Sequence, residues 1–115
     1  MSAADAIKAF IAPHLPGWRI QFGRWVDGSK SDRYAVIRPV GGVPASLVRR
    51  PQFSVLLVGA LDDPSSVTSN AANAIIEAMR TSNGSLVVMT AGEPVFIGAH
   101  DGRQILEFPV STITN

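Results

Sequence analysis

Cysteine is absent from this chain of 115 residues, which excludes a disulfide framework, a thiol nucleophile and a zinc–thiolate site. Charge is scarce as well: 17% of the residues are charged, against a usual ~25%, and the net charge is +1. No strongly basic field therefore demands nucleic acid as a partner. Histidine occurs only as His14 and His100. No apolar run approaches the roughly 20 residues that a membrane span needs; the longest, from Val55 to Leu61, is of strand length. Met1-Ser2-Ala3-Ala4-Asp5 has no basic segment leading into an apolar one and does not read as a signal peptide. The expectation is a soluble protein, intracellular when made.

What is present suffices for one domain. A chain of this size buries roughly two-thirds of its unfolded surface, enough for a core without metal or disulfide staples. Hydrophobic residues make up 46% of it, and the mean hydropathy is positive at +0.21. Low charge with positive hydropathy points to surface that a partner covers.

The apolar spacing predicts the elements. Ala3, Ile7, Phe10, Ile11 and His14 recur at helical intervals over Ser2–His14, with Ser2 as cap and Asp5 in the first turn; Pro13, Pro16 and Gly17 end this helix. Trp18, Ile20 and Phe22 alternate with Arg19, Gln21 and Gly23, which reads as a half-buried strand with those three in the core. A polar turn at Asp27–Asp32 and a second strand at Arg33–Pro39 then suggest a hairpin. Gly41-Gly42-Val43-Pro44 breaks the pattern, and Ala45–Arg50 is either loop or short strand. In Gln52–Leu61, Phe53, Val55 and Leu57 face one way and Leu56 and Val58 the other, so this strand is buried on both faces. Asp63 as N-cap and Pro64 at the first position open a second helix with Val67, Ala71, Ala74, Ile75, Ala78 and Met79 inward; Asn83-Gly84 ends it. Strands follow at Ser85–Met89 and Val95–Gly98, with a turn at Ala91–Pro94 between them. His100-Asp101-Gly102 signals a hairpin into Arg103–Thr112, whose Leu106, Phe108 and Val110 share a face. Pro109 lacks an N–H, which predicts an edge strand or a bulge there. The fold class is α+β: a small, mostly antiparallel sheet with two main helices on one face.

The chemistry-bearing residues form no working constellation. His100 adjoins Asp101 in a turn, where neighbouring side chains do not orient each other, and no Gly-x-Ser-x-Gly elbow supplies a nucleophile. Asp62 and Asp63 adjoin and diverge, and no His/carboxylate spacing suits a metal. Phosphate-loop and dinucleotide glycine patterns are missing. The chain is therefore not expected to be an enzyme or to hold a metal or cofactor. Arg33, Arg38, Arg49 and Arg50 could form a cationic patch for an acidic protein or phosphate, or simply a solvated rim. Trp25 stands out of register with Trp18 and Phe22, either in the core after a twist or as an exposed anchor. With Gln52, these residues are the candidate partner interface: Trp25, Arg33, Arg38, Arg49, Arg50 and Gln52.

The layout resembles the tail terminator (tail completion) proteins of long-tailed bacteriophages and related minor capsid and neck proteins. The resemblance is carried by the N-terminal helix, the strand pair Trp18–Trp25 and Arg33–Pro39, and Arg50-Pro51-Gln52-Phe53-Ser54-Val55 entering an apolar strand. The alanine-rich helix Asn70–Met79, Gly92-Glu93-Pro94-Val95 and Asp101-Gly102-Arg103 before the last strand continue it. The chain is short for that family and ends soon after its last strand. The resemblance implies a homo-oligomer, a hexameric ring on the head-proximal end of the tail tube. Such a ring stops tube polymerisation and meets the head–tail connector. Its partners would be the tail tube protein and the connector, with no membrane and no sequence-specific nucleic acid binding. It would reside in the virion, and in host cytoplasm during assembly. Another head–tail joining or neck component, or a small ligand- or peptide-binding module, remains the alternative.

Overall fold

The computed structural model describes residues 3–26, 28–43, 50–81, 88–100 and 102–113. The expectations for Ser2, Asp27, Ala45–Arg49, Asn83-Gly84, Ser85–Val87 and Asp101 lie outside the described residues. The order is α1 (Ala3–Ile11) with a 3-10 turn (Ala12–His14), β1 (Arg19–Phe22), β2 (Tyr34–Val43), β3 (Arg50–Val58), α2 (Ser65–Thr81), β4 (Val88–Ala91), β5 (Val95–His100) and β6 (Arg103–Ile113).

One six-stranded sheet runs β1-β2-β3-β6-β4, with β5 also paired to β6. It is mixed, which corrects the expectation of a mostly antiparallel sheet. β1 pairs parallel to β2, Arg19 opposite Tyr34 and Phe22 opposite Ile37, so these strands form no hairpin. The reason lies in residues 23–26 and 28–33, which return the chain to the start of β1 before β2 begins. Gly23 starts this return at φ 89°, a backbone region that favours glycine. The Gln21 amide then grips Val26 twice, donating to its carbonyl at 2.8 Å and accepting its N–H at 2.9 Å. The Tyr34 hydroxyl accepts the N–H groups of Gly28 and Ser29 at 2.8 and 3.0 Å.

β2 and β3 form the long antiparallel pair, and β2 continues through Gly41–Val43, where the sequence pattern suggested a break. A register shift between Pro39 and Gly41 absorbs the irregularity. β3 is buried on both faces, as its doubly apolar pattern predicts. Phe53, Val55 and Leu57 join Ile7, Ile11, Ala72, Ile75, Met79, Leu106, Phe108 and Val110 in one cluster. Leu56 and Val58 join Tyr34 and Val36 in a second, against which Trp25 and Ile105 pack. On α2 the buried residues are Thr68, Ala72, Ile75 and Met79, while Ala74 is exposed.

Pro109 corrects another expectation. β6 is internal, with β3 on one side and β4 and β5 sharing the other, and its register against β3 is unbroken. The Pro109 carbonyl accepts the Gly92 N–H at 2.9 Å, which fixes the side to which its backbone polar groups point. That side is the gap between the end of β4 and the start of β5. A missing N–H there interrupts no ladder to β3. The β5–β6 turn follows its hairpin signal: His100 pairs with Arg103 and Gly102 sits at φ 76°.

Candidate functional site

Arg33 and Arg38 are each engaged by a carboxylate of the same chain. Arg33, just before β2, is held by Asp63: its Nε and Nη2 donate to the two carboxylate oxygens at 2.8 and 3.2 Å. Asp63 also accepts the Ala60 N–H at 2.8 Å. Its carboxylate is thus turned to the loop before α2, and the expected N-cap role is replaced by this clamp. The Arg33 hydrogen bond holds the Asp63 carboxyl below the usual carboxylate range, against the opposing effect of burial, and Asp63 in turn raises the Arg33 guanidinium.

Arg38, on β2, donates from Nη2 to Glu107 Oε2 on β6 at 2.6 Å. Ser54 on β3 donates to the same oxygen at 2.8 Å. Gln52 is exposed on β3 opposite Ser111. Arg50 begins β3, and Arg49 lies outside the described residues. Arg33 and Arg38 thus form ion pairs with carboxylates of the same chain, the first at the loop before α2 and the second across β2 and β6.

Trp25 is half-buried, with its ring centroid 6.3 Å from that of Tyr34. Both rings face a residue absent from the sequence-derived site, Arg103, which is 0% exposed. Its guanidinium lies 5.0 Å from the Trp25 ring centroid and 5.3 Å from that of Tyr34. Its Nε donates to the Gly59 carbonyl at 2.9 Å and its Nη2 to the Asp32 carbonyl at 2.7 Å. Buried arginine is rare unless paired. This one ties the 23–33 return to the root of the β5–β6 hairpin. Only its place after Asp101-Gly102 marks it in the sequence, and that spot is equally ordinary for a surface arginine.

Exposed apolar side chains are the other feature sequence reasoning missed. The alternation predicts Phe22 in the core, yet it lies at the open end of β1 with the Lys8 ammonium 5.7 Å from its ring centroid. Val95, Phe96 and Ile97 on β5 are exposed together. Three consecutive apolar residues in a strand were the signal, but the pattern cannot distinguish double burial from double exposure.

Chemical machinery is sparse. His14 is exposed, its ring centroid 5.8 Å from that of Phe10. Among the described residues no group of three or more histidine, aspartate or glutamate side chains could hold a metal ion, and no helix is long and apolar enough to cross a membrane. An open cavity of about 320 Å³ is lined by Pro16, Gly17, Ser31, Asp32, Arg33, Ala60 and Asp63. Its charged walls are engaged in the Arg33–Asp63 and Arg19–Asp32 pairs. The arrangement offers surfaces for contact.

Against known families, residues 1–115 match the one described as phage tail termination protein, and the chain belongs to that family. No curated protein matches the chain. Membership makes the chain a structural component of a phage tail with a tail-terminating role.

Proposed function

We propose that this 115-residue chain acts as one domain that assembles into a ring, of six copies, on the head-proximal end of the tail tube. There it ends addition of tube protein and presents its other surface to the head connector. The observation that carries this reading is the family match, which spans residues 1–115. The physical character of the chain supports it: low charge, and exposed aliphatic and aromatic side chains at both ends of the sheet. Around such a ring each subunit meets the next through two different surfaces, a heterologous contact that closes. The tube protein and connector would meet other parts of the molecule, for which Gln52 and the rim around Arg33, Arg38 and Arg50 are the candidates. Virion assembly in host cytoplasm belongs to the same reading.

The test is tube growth. Purified protein is added to polymerising tube protein from the same phage, and tube lengths are measured by negative-stain electron microscopy. Tubes that stop growing and carry a ring at one end support the proposal. Tubes that lengthen unchecked at saturating protein refute it.

A further inference from the structure

Among the described residues, neither buried cluster takes a side chain from β5. Val95, Phe96 and Ile97 are 59%, 53% and 53% exposed. Successive side chains of a strand point to opposite faces, so one covering layer would bury every second residue. Here Val95 lies opposite Glu107 and Phe96 opposite Leu106, on opposite faces of the sheet, and the register shift before Gly98 leaves Ile97 outside the ladder. Both faces of this strand are open. Among the described residues, Glu93 places an exposed negative charge just before this strand.

The far edge of the sheet carries a patch of similar chemistry and opposite sign. Phe22 and Val26, at the end of β1, are 46% and 57% exposed. Lys8 stands over the Phe22 ring, and Arg24 is exposed between the two apolar residues in sequence. Arg19, at the other end of β1, is matched by Asp32.

We propose that the β5 edge docks the β1 edge of a second copy of this chain, with Val95–Ile97 against Phe22 and Val26, and Glu93 facing Lys8 and Arg24. The proposal rests on the ring reading above and names its interface. Charge complementarity selects the occupant: β5 against β5 brings Glu93 towards Glu93, and β1 against β1 gathers the cations, whereas the crossed pair is favourable. The contact is made by side chains. Pro94 and the irregularity at Ile97 break the run of free backbone groups that an extended ladder requires.

The absence of cysteine makes the test clean. Phe22→Cys and Ile97→Cys are made separately; both positions are exposed, and circular dichroism verifies that each variant folds. The two are mixed and treated with a short bis-maleimide, in concentrated solution and again on tube ends. The expected result is a crossed covalent dimer from the mixture, monomer from either variant alone, and a ladder of oligomers from the double variant. Glu93→Lys and Arg24→Glu each lower the crossed yield several-fold, and together restore it. No crossed product under either condition, or dimers from Ile97→Cys alone, overturns the proposal. Protein that caps tubes without crossed product keeps the terminator reading and loses this interface. Crossed product from protein that leaves tubes growing does the reverse.

Discussion

Replacing Arg103 with methionine removes the buried guanidinium while keeping a long, flexible, apolar side chain. The Gly59 and Asp32 carbonyls lose the donors now at 2.9 and 2.7 Å. Leaving a buried acceptor without its donor costs about 1–3 kcal/mol, with Gly59, the more buried residue, at the upper end. The two ring contacts add about 1–2 kcal/mol for a desolvated cation. Against this, methionine avoids the desolvation penalty of a buried charge, which in other proteins has offset about 1–4 kcal/mol. The net expectation is a loss of about 2–4 kcal/mol, a large share of the ~5–15 kcal/mol typical of a domain. With a urea slope of about 2 kcal/mol per molar, the midpoint falls by about 1–2 M. Tryptophan fluorescence reads this directly, because Trp25 touches Arg103 and Trp18 is the only other indole. Amide hydrogen exchange should quicken first in residues 23–33, the segment that Arg103 ties down. Arg103→Lys keeps the charge but loses the forked donor geometry, so it should recover less than half of the loss. An Arg103→Met midpoint within experimental error of wild type would sink the reasoning: desolvation would then balance every contact named here.

A Cβ on Gly92 would lie 2.6 Å from Pro109 Cγ, so Gly92→Ala should destabilise by about 1–3 kcal/mol, and Pro109→Ala in the same chain should recover most of it in a double-mutant cycle. Asp63→Asn should cost about 1–2 kcal/mol near neutral pH, a figure held down by the partial exposure of Arg33. Because the folded Asp63 carboxyl titrates below its unfolded value of about 3.9, its contribution is complete above that pH and is lost as pH falls through the folded value. The wild-type advantage over Asp63→Asn, followed by denaturant unfolding, should therefore shrink with acidification below about pH 4; an advantage that does not decline at all between about pH 5 and about pH 2 contradicts the assignment. Arg38→Ala should lower stability by less than about 1 kcal/mol, since both members of its ion pair are about one-third exposed; a larger loss would make the Ser54–Glu107–Arg38 group structural.

The parts of the fold that were legible in the sequence are those where one local signal dominates. β3 announced itself through apolar residues on both faces, α2 through helical spacing, and the β5–β6 turn through Asp101-Gly102. The misreadings arise where side chains far apart in sequence settle the outcome. An alternating segment followed by a polar turn has the grammar of a hairpin. Parallel pairing of β1 and β2 depends on Gln21 holding Val26, Tyr34 holding Gly28 and Ser29, and Arg103 holding Asp32. Asp63 has the spacing of a helix cap, but Arg33, thirty residues earlier, takes its carboxylate. Phe22 has the alternation of a core residue, but it ends β1 at the edge of the sheet, where 46% of it stays exposed. The candidate arginines were chosen by type, and type does not reveal that Asp63 and Glu107 already engage two of them.

Those ion pairs shift the weight of the functional argument. An arginine held by its own chain must break or share that bond to receive a partner's carboxylate, so Arg33 and Arg38 gain less from a new acidic neighbour than free arginines would. Exposed Val95, Phe96 and Ile97 face no such competition, because covering them breaks no ion pair and removes apolar surface from water. The edge that carries them is also divided. β6 is one long strand, but its outer side is covered by two short ones, with Gly92–Pro94 and the side chain of Pro109 between them. Long, flat edges invite open-ended strand addition; a short, bulged edge flanked by prolines does not. What remains is a compact apolar contact that one complementary surface can cover. Repetition of such a contact between two unlike edges closes into a ring when the rotation permits, and it leaves no free ladder for further growth.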